Sequence, residues 1–193
     1  MNLNFVINRA KNLIVNPKAE WIIIHDESKT KNAIVKEYAL PMIIIMSLCS
    51  FFGSLMMSGS FAGAILMGTV LFVFSFVGIY VSAYIINELT TSFNSKKDIH
   101  TTFKLVVYSF TAYFITSSIT LLWPPLILLS AFGLYSIFLF WEGTTILLHT
   151  PEDNKVGFVA VSSLIIIGVF AILNYMMDGI RLSVVMTGFL GQR

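Results

Sequence analysis

Five long apolar runs, separated by short polar segments, constrain this chain more than anything else in it. They occupy residues 38–57, 61–86, 103–122, 126–148 and 157–177. The hydrocarbon core of a bilayer, about 30 Å thick, is crossed by about 20 apolar residues wound as a helix. Each run meets that length. Inside lipid an unpaired backbone N–H or C=O costs several kcal/mol, so runs of this kind must be helices. The expected fold class is therefore all-α, a polytopic membrane protein with five transmembrane helices. Composition agrees: 11% of residues are charged, where a soluble domain carries about 25%.

The same numbers exclude some functions. A net charge of +2, with basic residues not interleaved with aromatics, does not fit nucleic-acid binding. Cys49, the single cysteine, cannot form an internal disulfide and reads as a small packing residue. The first 20 residues lack the uninterrupted apolar stretch of a cleavable signal, so the first span is expected to do the targeting. No hydrolase elbow, phosphate loop or nucleotide fingerprint is present, and neither an enzyme nor a cofactor is expected.

The connections are of two kinds. Ser58–Ser60 and Trp123–Pro125 are uncharged three-residue turns, whereas 87–102 and 149–156 are polar and charged. Spans one and two, and spans three and four, therefore read as tight hairpins turning on one side. With the N-terminus in the cytosol, the inside segments hold Arg9, Lys11, Lys18, Lys29, Lys31, Lys36, Lys96, Lys97, Lys104 and Lys155, and only Arg181 and Arg193 remain outside. The positive-inside rule then gives N-in and C-out. The expected organisation is a cytosolic N-terminal segment 1–37, a transmembrane domain 38–177 and a short outer tail 178–193.

In the N-terminal segment, Phe5, Ile7, Ala10, Leu13 and Ile14 share roughly one helical face, with Arg9, Lys11 and Asn12 off it. That pattern predicts an amphipathic helix lying on the cytosolic surface of the membrane, held by apolar burial and by attraction of Arg9 and Lys11 to anionic lipid. Pro17 ends it or starts the next piece, and Trp21 is expected to be an interfacial anchor. Pro41 is expected in the first turn of span one.

Several blocks together carry a family resemblance. They are Arg9–Leu13 (RAKNL), Asn16–Trp21 (NPKAEW), Lys96–Ile99 (KKDI) followed by Leu105–Ser109 (LVVYS), Gly133–Ser136 (GLYS), and Thr150–Asp153 (TPED) with Lys155 and Gly157. In order and spacing they resemble the Yip-one domain family of Ypt/Rab-interacting proteins, in its compact prokaryotic form, over about residues 5–175. Glu142 and Phe158 depart from the family pattern, and Asp178 and Arg181 lie beyond it. The resemblance implies five spans and, from eukaryotic members, a link to Rab-type GTPases, vesicle formation and membrane shaping. It implies no catalytic motif. Asn16, Pro17, Glu20, Trp21, Lys96, Lys97, Pro151 and Glu152 would form its cytosolic surface, and the prokaryotic cytoplasmic (inner) membrane its location.

Three groups of residues invite a functional reading. Glu142 lies six residues from the end of span four, about 9 Å inside at 1.5 Å per residue, with Tyr135 and Thr145 as helical neighbours. His25, Asp26, Glu27, His100 and His149 all fall on the cytosolic side and are weak metal-ligand candidates, drawn from separate segments. Span three carries many hydroxyls, which read as interhelical packing more readily than as a polar pathway. The expected function is non-enzymatic organisation or shaping of the bilayer, or scaffolding of membrane partners. The alternatives are a small transporter, channel or lipid-moving protein built around Glu142, and an adaptor for a cytosolic partner such as a small GTPase. The partners expected are the lipid bilayer, further copies of the chain or other membrane proteins.

Overall fold

A computed structural model describes residues 2–190. Among the described residues every regular element is helical. Two short helices come first, α1 (Leu3–Val15) and α2 (Pro17–Asp26). The long helices follow: α3 (Lys31–Ser58), α4 (Phe61–Phe93), α5 (Ile99–Leu122), α6 (Pro124–Leu148) and α7 (Glu152–Leu190). The last five, α7 through Ile180, are long and apolar enough to cross a membrane. The all-α architecture with five candidate spans is what the sequence predicts.

The helices outrun the apolar runs at the charged end. Helix α3 starts at Lys31, α4 continues to Phe93, and α7 starts at Glu152. Hydropathy marks what lies in hydrocarbon, not where hydrogen bonding stops. Pro41 sits in the first turn of the α-helical part of α3, Leu40–Ser58, as expected. A π-helical turn over Val35–Ala39 precedes it, with the Leu40 N–H reaching the Val35 C=O. Helix α7 continues past residue 178, into the expected outer tail, as far as Leu190. Residues 191–193, including Arg193, lie outside the described residues, as does the side chain of Arg181.

The uncharged turns are as tight as their sequences require. Gly59 closes α3 in the left-handed region (φ +65°), its N–H donating to the Leu55 C=O at 2.9 Å; only glycine adopts that conformation without strain. Ser60 then caps α4, its Oγ accepting from the Gly63 N–H at 3.1 Å. At Gly53 the backbones of α3 and α5 touch. A Cβ there would lie 1.9 Å from the Leu121 carbonyl oxygen.

Two helices are irregular within the spans. Helix α5 bends at Phe110 (φ −70°, ψ −1°). The Thr111 hydroxyl donates to the Tyr108 C=O at 2.6 Å and contacts the Tyr38 hydroxyl of α3 at 2.7 Å. Thr116, Ser118 and Thr120 of the same helix donate to carbonyls three or four residues back. Those hydroxyls therefore serve their own backbone, a pattern that bends helices. Helix α6 begins as a 3₁₀ stretch over Pro124–Leu134, in which no residue is buried, and turns α-helical at Tyr135. Such long 3₁₀ runs are uncommon.

Candidate functional site

The charged end of the bundle concentrates the polar chemistry, and its centre is the docked N-terminal pair of helices. Asn2 caps α1 and Pro17 opens α2 at a position that needs no N–H. The face of α1 turned inward is Val6, Arg9, Ala10 and Leu13. This corrects the expected amphipathic face: Ile7 and Ile14 are exposed, and Arg9 is buried. The reason is α2. The Arg9 guanidinium donates from Nη1 to Glu20 Oε1 at 2.6 Å and from Nη2 to Glu27 Oε1. It also lies over the rings of Phe5 and Tyr108, at 5.2 and 5.7 Å from their centroids. An arginine fork shared by two carboxylates can leave water where a lone cation could not.

Trp21 is the second correction. It is not an interfacial anchor; its exposure is 0%. The indole fills a notch on α6 made by Gly143, where a Cβ would stand 2.7 Å from Trp21 Cε2 and 2.6 Å from Leu105 Cδ1. Tyr108 meets it edge-on at 6.4 Å. From α5, Lys104 extends its ammonium to the carbonyls of Ile24 and Glu27, at 2.9 and 2.8 Å. A cation there satisfies the open carbonyls at the end of α2 and complements the helix dipole. Lys29 pairs with Glu37 at 2.8 Å and sits 3.8 Å from the Phe5 ring centroid. The site thus joins α1, α2, α3 and α5 through charges from all four.

The two charged loops dock on each other. The Lys96 N–H donates to the Leu148 C=O at 2.9 Å, closing the end of α6. Ser95 Oγ and Thr150 Oγ1 are 2.7 Å apart, and Asn154 Nδ2 donates to the Phe93 C=O at 3.3 Å. His149 ends α6 in the left-handed region (φ +50°). Lys155 is buried with its ammonium 4.5 Å from the Trp141 ring centroid. Asp98 caps α5. Its burial works to raise its pKa, but the Thr101 hydroxyl and the N–H groups of His100 and Thr101 outweigh that and hold it below the ordinary carboxylate value. Lys96, Lys97, Pro151 and Glu152 remain exposed on this loop pair, and Asn16 is exposed on the hairpin. Of the family-motif residues, Glu20 and Trp21 are interior.

Glu142 meets the motif of the N-terminal hairpin. Its Oε2 lies 4.0 Å from Lys18 Nζ; the Glu142 side chain is 14% exposed and that of Lys18 75%. Tyr135 donates its hydroxyl to the Ile14 C=O at 3.1 Å, and the Thr145 hydroxyl is buried without a partner. Tyr135 and Thr145 make no hydrogen bond to Glu142. Among the metal-ligand candidates, His25 and His149 come together with ring centroids 5.9 Å apart, and His25 Nδ1 is 3.0 Å from Asp26 Oδ1. Glu27 is committed to Arg9, and His100 follows the α5 cap. Among the described residues no group of three or more His, Cys, Asp or Glu side chains converges to hold a metal.

Deeper in the bundle, a cavity of about 200 Å³ lies between α5, α6 and α7, bounded by Ser109, Tyr113, Ser136, Phe140, Ser163 and Phe170 among others. Glu142 and Thr145 are not part of its wall. The hydropathy pattern gave no sign of it, because it arises where the bend of α5 faces the change from 3₁₀ to α winding in α6.

Compared with known proteins, residues 11–173 match the family model described as the Yip1 domain. No curated protein and no solved structure matches.

Proposed function

Since the chain belongs to the Yip1 domain family, an integral membrane family, we propose that it organises or shapes the bilayer without catalysing a reaction. One observation carries this reading. The N-terminal hairpin is fixed to the bundle by Arg9 and Trp21, yet Ile7 is 61% and Val15 73% exposed, and Ile22 and Ile23 are about half exposed. Apolar side chains on a rigid surface helix pair are stable where the headgroup and acyl layers cover them. Such a pair acts as a wedge in one leaflet. The turns at the opposite end, Gly59–Ser60 and Trp123, offer no counterpart. In this reading the hairpin and charged loops face the cytosol and α7 ends outside, in a prokaryotic inner membrane. The protein acts alone, as homo-oligomers, or with other membrane proteins.

The test is reconstitution into giant vesicles over a wide range of protein-to-lipid ratios. Wild-type protein is expected to tubulate or bud the vesicles, and Ile7→Asp combined with Ile22→Asp to lose that effect while keeping its helicity. Vesicles that keep their shape throughout the range refute the proposal. A second reading, a docking surface for a cytosolic partner, is favoured by the rigid joining of the two charged loops, which leaves Lys96, Lys97 and Glu152 on one exposed rim. Reversing those charges abolishes capture of such a partner if the reading holds, and leaves it unchanged if it does not.

A further inference from the structure

The cavity between α5, α6 and α7 has no part in the wedge reading and follows from other observations. Its depth is set by helix geometry. Ser109 lies ten residues past the start of α5 and Phe170 eighteen past the start of α7, so at 1.5 Å per residue the walls run from about 15 to about 27 Å below the charged end. That places it within the hydrocarbon layer. Its mouth is lined by Leu134 and Ile167, both more than half exposed on the outer surface of the bundle. It therefore opens sideways, toward lipid.

What fills it is decided by its polarity. Four serines line it, but Ser130 Oγ donates its proton to the Ile127 C=O at 2.6 Å, and Ser136 Oγ already accepts from the Tyr113 N–H at 3.0 Å. Ser109 Oγ is itself sealed from solvent, buried without a partner. A water needs two to four polar partners, and an apolar cavity of about 150 Å³ stays dry and takes up benzene. At about 200 Å³, with a mostly apolar wall that includes Phe110, Phe140, Ile166 and Phe170, this cavity suits hydrocarbon. The surrounding medium at that depth is acyl chain. We propose that the cleft is a binding site for one acyl chain of a bilayer phospholipid, entering between Leu134 and Ile167 and reaching Tyr113 and Phe170. The bend at Phe110 and the 3₁₀ winding of Pro124–Leu134 are the structural features that hold it open.

The experiment uses the full chain in phosphatidylcholine–phosphatidylglycerol vesicles containing a small fraction of phosphatidylcholine with a photoactivatable diazirine midway along one acyl chain. After irradiation, labelled peptides are mapped. Residues 133–140 and 163–170 are expected to be labelled several-fold more than the lipid-facing residues of α4, such as Val73 and Val77. Uniform labelling of all lipid-facing helices overturns the proposal in the wild-type protein alone. The cavity-filling variants Ser163→Phe and Ile167→Trp are expected to bring the labelling down to the α4 level. Excess labelling that survives in either folded variant also overturns it. Hydroxyl-radical oxidation of Tyr113 and Phe170 in unlabelled vesicles would show a wet cavity and overturn it as well. None of these outcomes depends on vesicle shape, so this proposal and the wedge reading fail separately.

Discussion

Removing the Arg9 side chain should release the N-terminal hairpin. In Arg9→Met the methylenes largely remain, but Glu20, with a side chain 6% exposed, keeps a charge with no guanidinium to share it. Breaking a buried ion pair from one side costs roughly 3–5 kcal/mol. Loss of the contacts over Phe5 and Tyr108 adds about 0.5–1 kcal/mol each. At 1.4 kcal/mol per tenfold, the combined loss of roughly 4–7 kcal/mol raises the opening equilibrium about a thousand- to a hundred-thousand-fold. Amide hydrogen exchange of the protein in nanodiscs reads this directly. Exchange in Pro17–Asp26 should accelerate by that factor, while α3 and α4 keep wild-type protection. The double variant Arg9→Met/Glu20→Leu should recover part of the loss, since the stranded charge is gone. If exchange in α2 of Arg9→Met stays within a few-fold of wild type, the ion cluster does not hold the hairpin and the reasoning fails.

Other predictions follow from single contacts. Gly143→Ala drives a methyl into Trp21 and Leu105, costing about 1–3 kcal/mol, whereas Gly53→Ala meets a backbone oxygen that cannot move aside and should lower the thermal midpoint further; scanning fluorimetry ranks the two. Asp98→Ala removes an N-cap worth about 0.5–2 kcal/mol. Because the folded-state pKa of Asp98 is lowered, its charge stabilises fully above the unfolded value near 3.9 and the contribution fades as pH falls through the folded value. Asp98→Asn should therefore flatten the stability curve in that acid window, as denaturation from pH 6 to 2 will show. Glu142→Gln loses only a contact to a largely exposed lysine, so it should change stability by less than about 1 kcal/mol. Vesicle deformation should be unaffected, and altered ion or solute flux in Glu142→Gln proteoliposomes would favour the transport alternative instead.

The hydropathy pattern determined the number of spans, the tight turns and the separation of a charged end from an uncharged one. Those features follow from the cost of unpaired backbone in hydrocarbon, which acts on each segment by itself. The motif blocks determined the family. Tertiary structure alone decided what the individual polar residues do. Arg9 looked like a surface charge because periodicity within one helix cannot see Glu20 and Glu27 arriving from the next. Trp21 looked like an anchor because an indole fits either an interface or a notch, and the notch is made by Gly143, more than a hundred residues away. Sequence spacing groups Glu142 with Tyr135 and Thr145 of its own helix, whereas its ionic neighbour Lys18 comes from α2, and the acyl-sized cleft has no local signature because it is a gap between bent helices. Burial in a bilayer is an additive property of a stretch of sequence. Pairing and shape depend on which distant surfaces meet, and that is fixed only when the helices assemble.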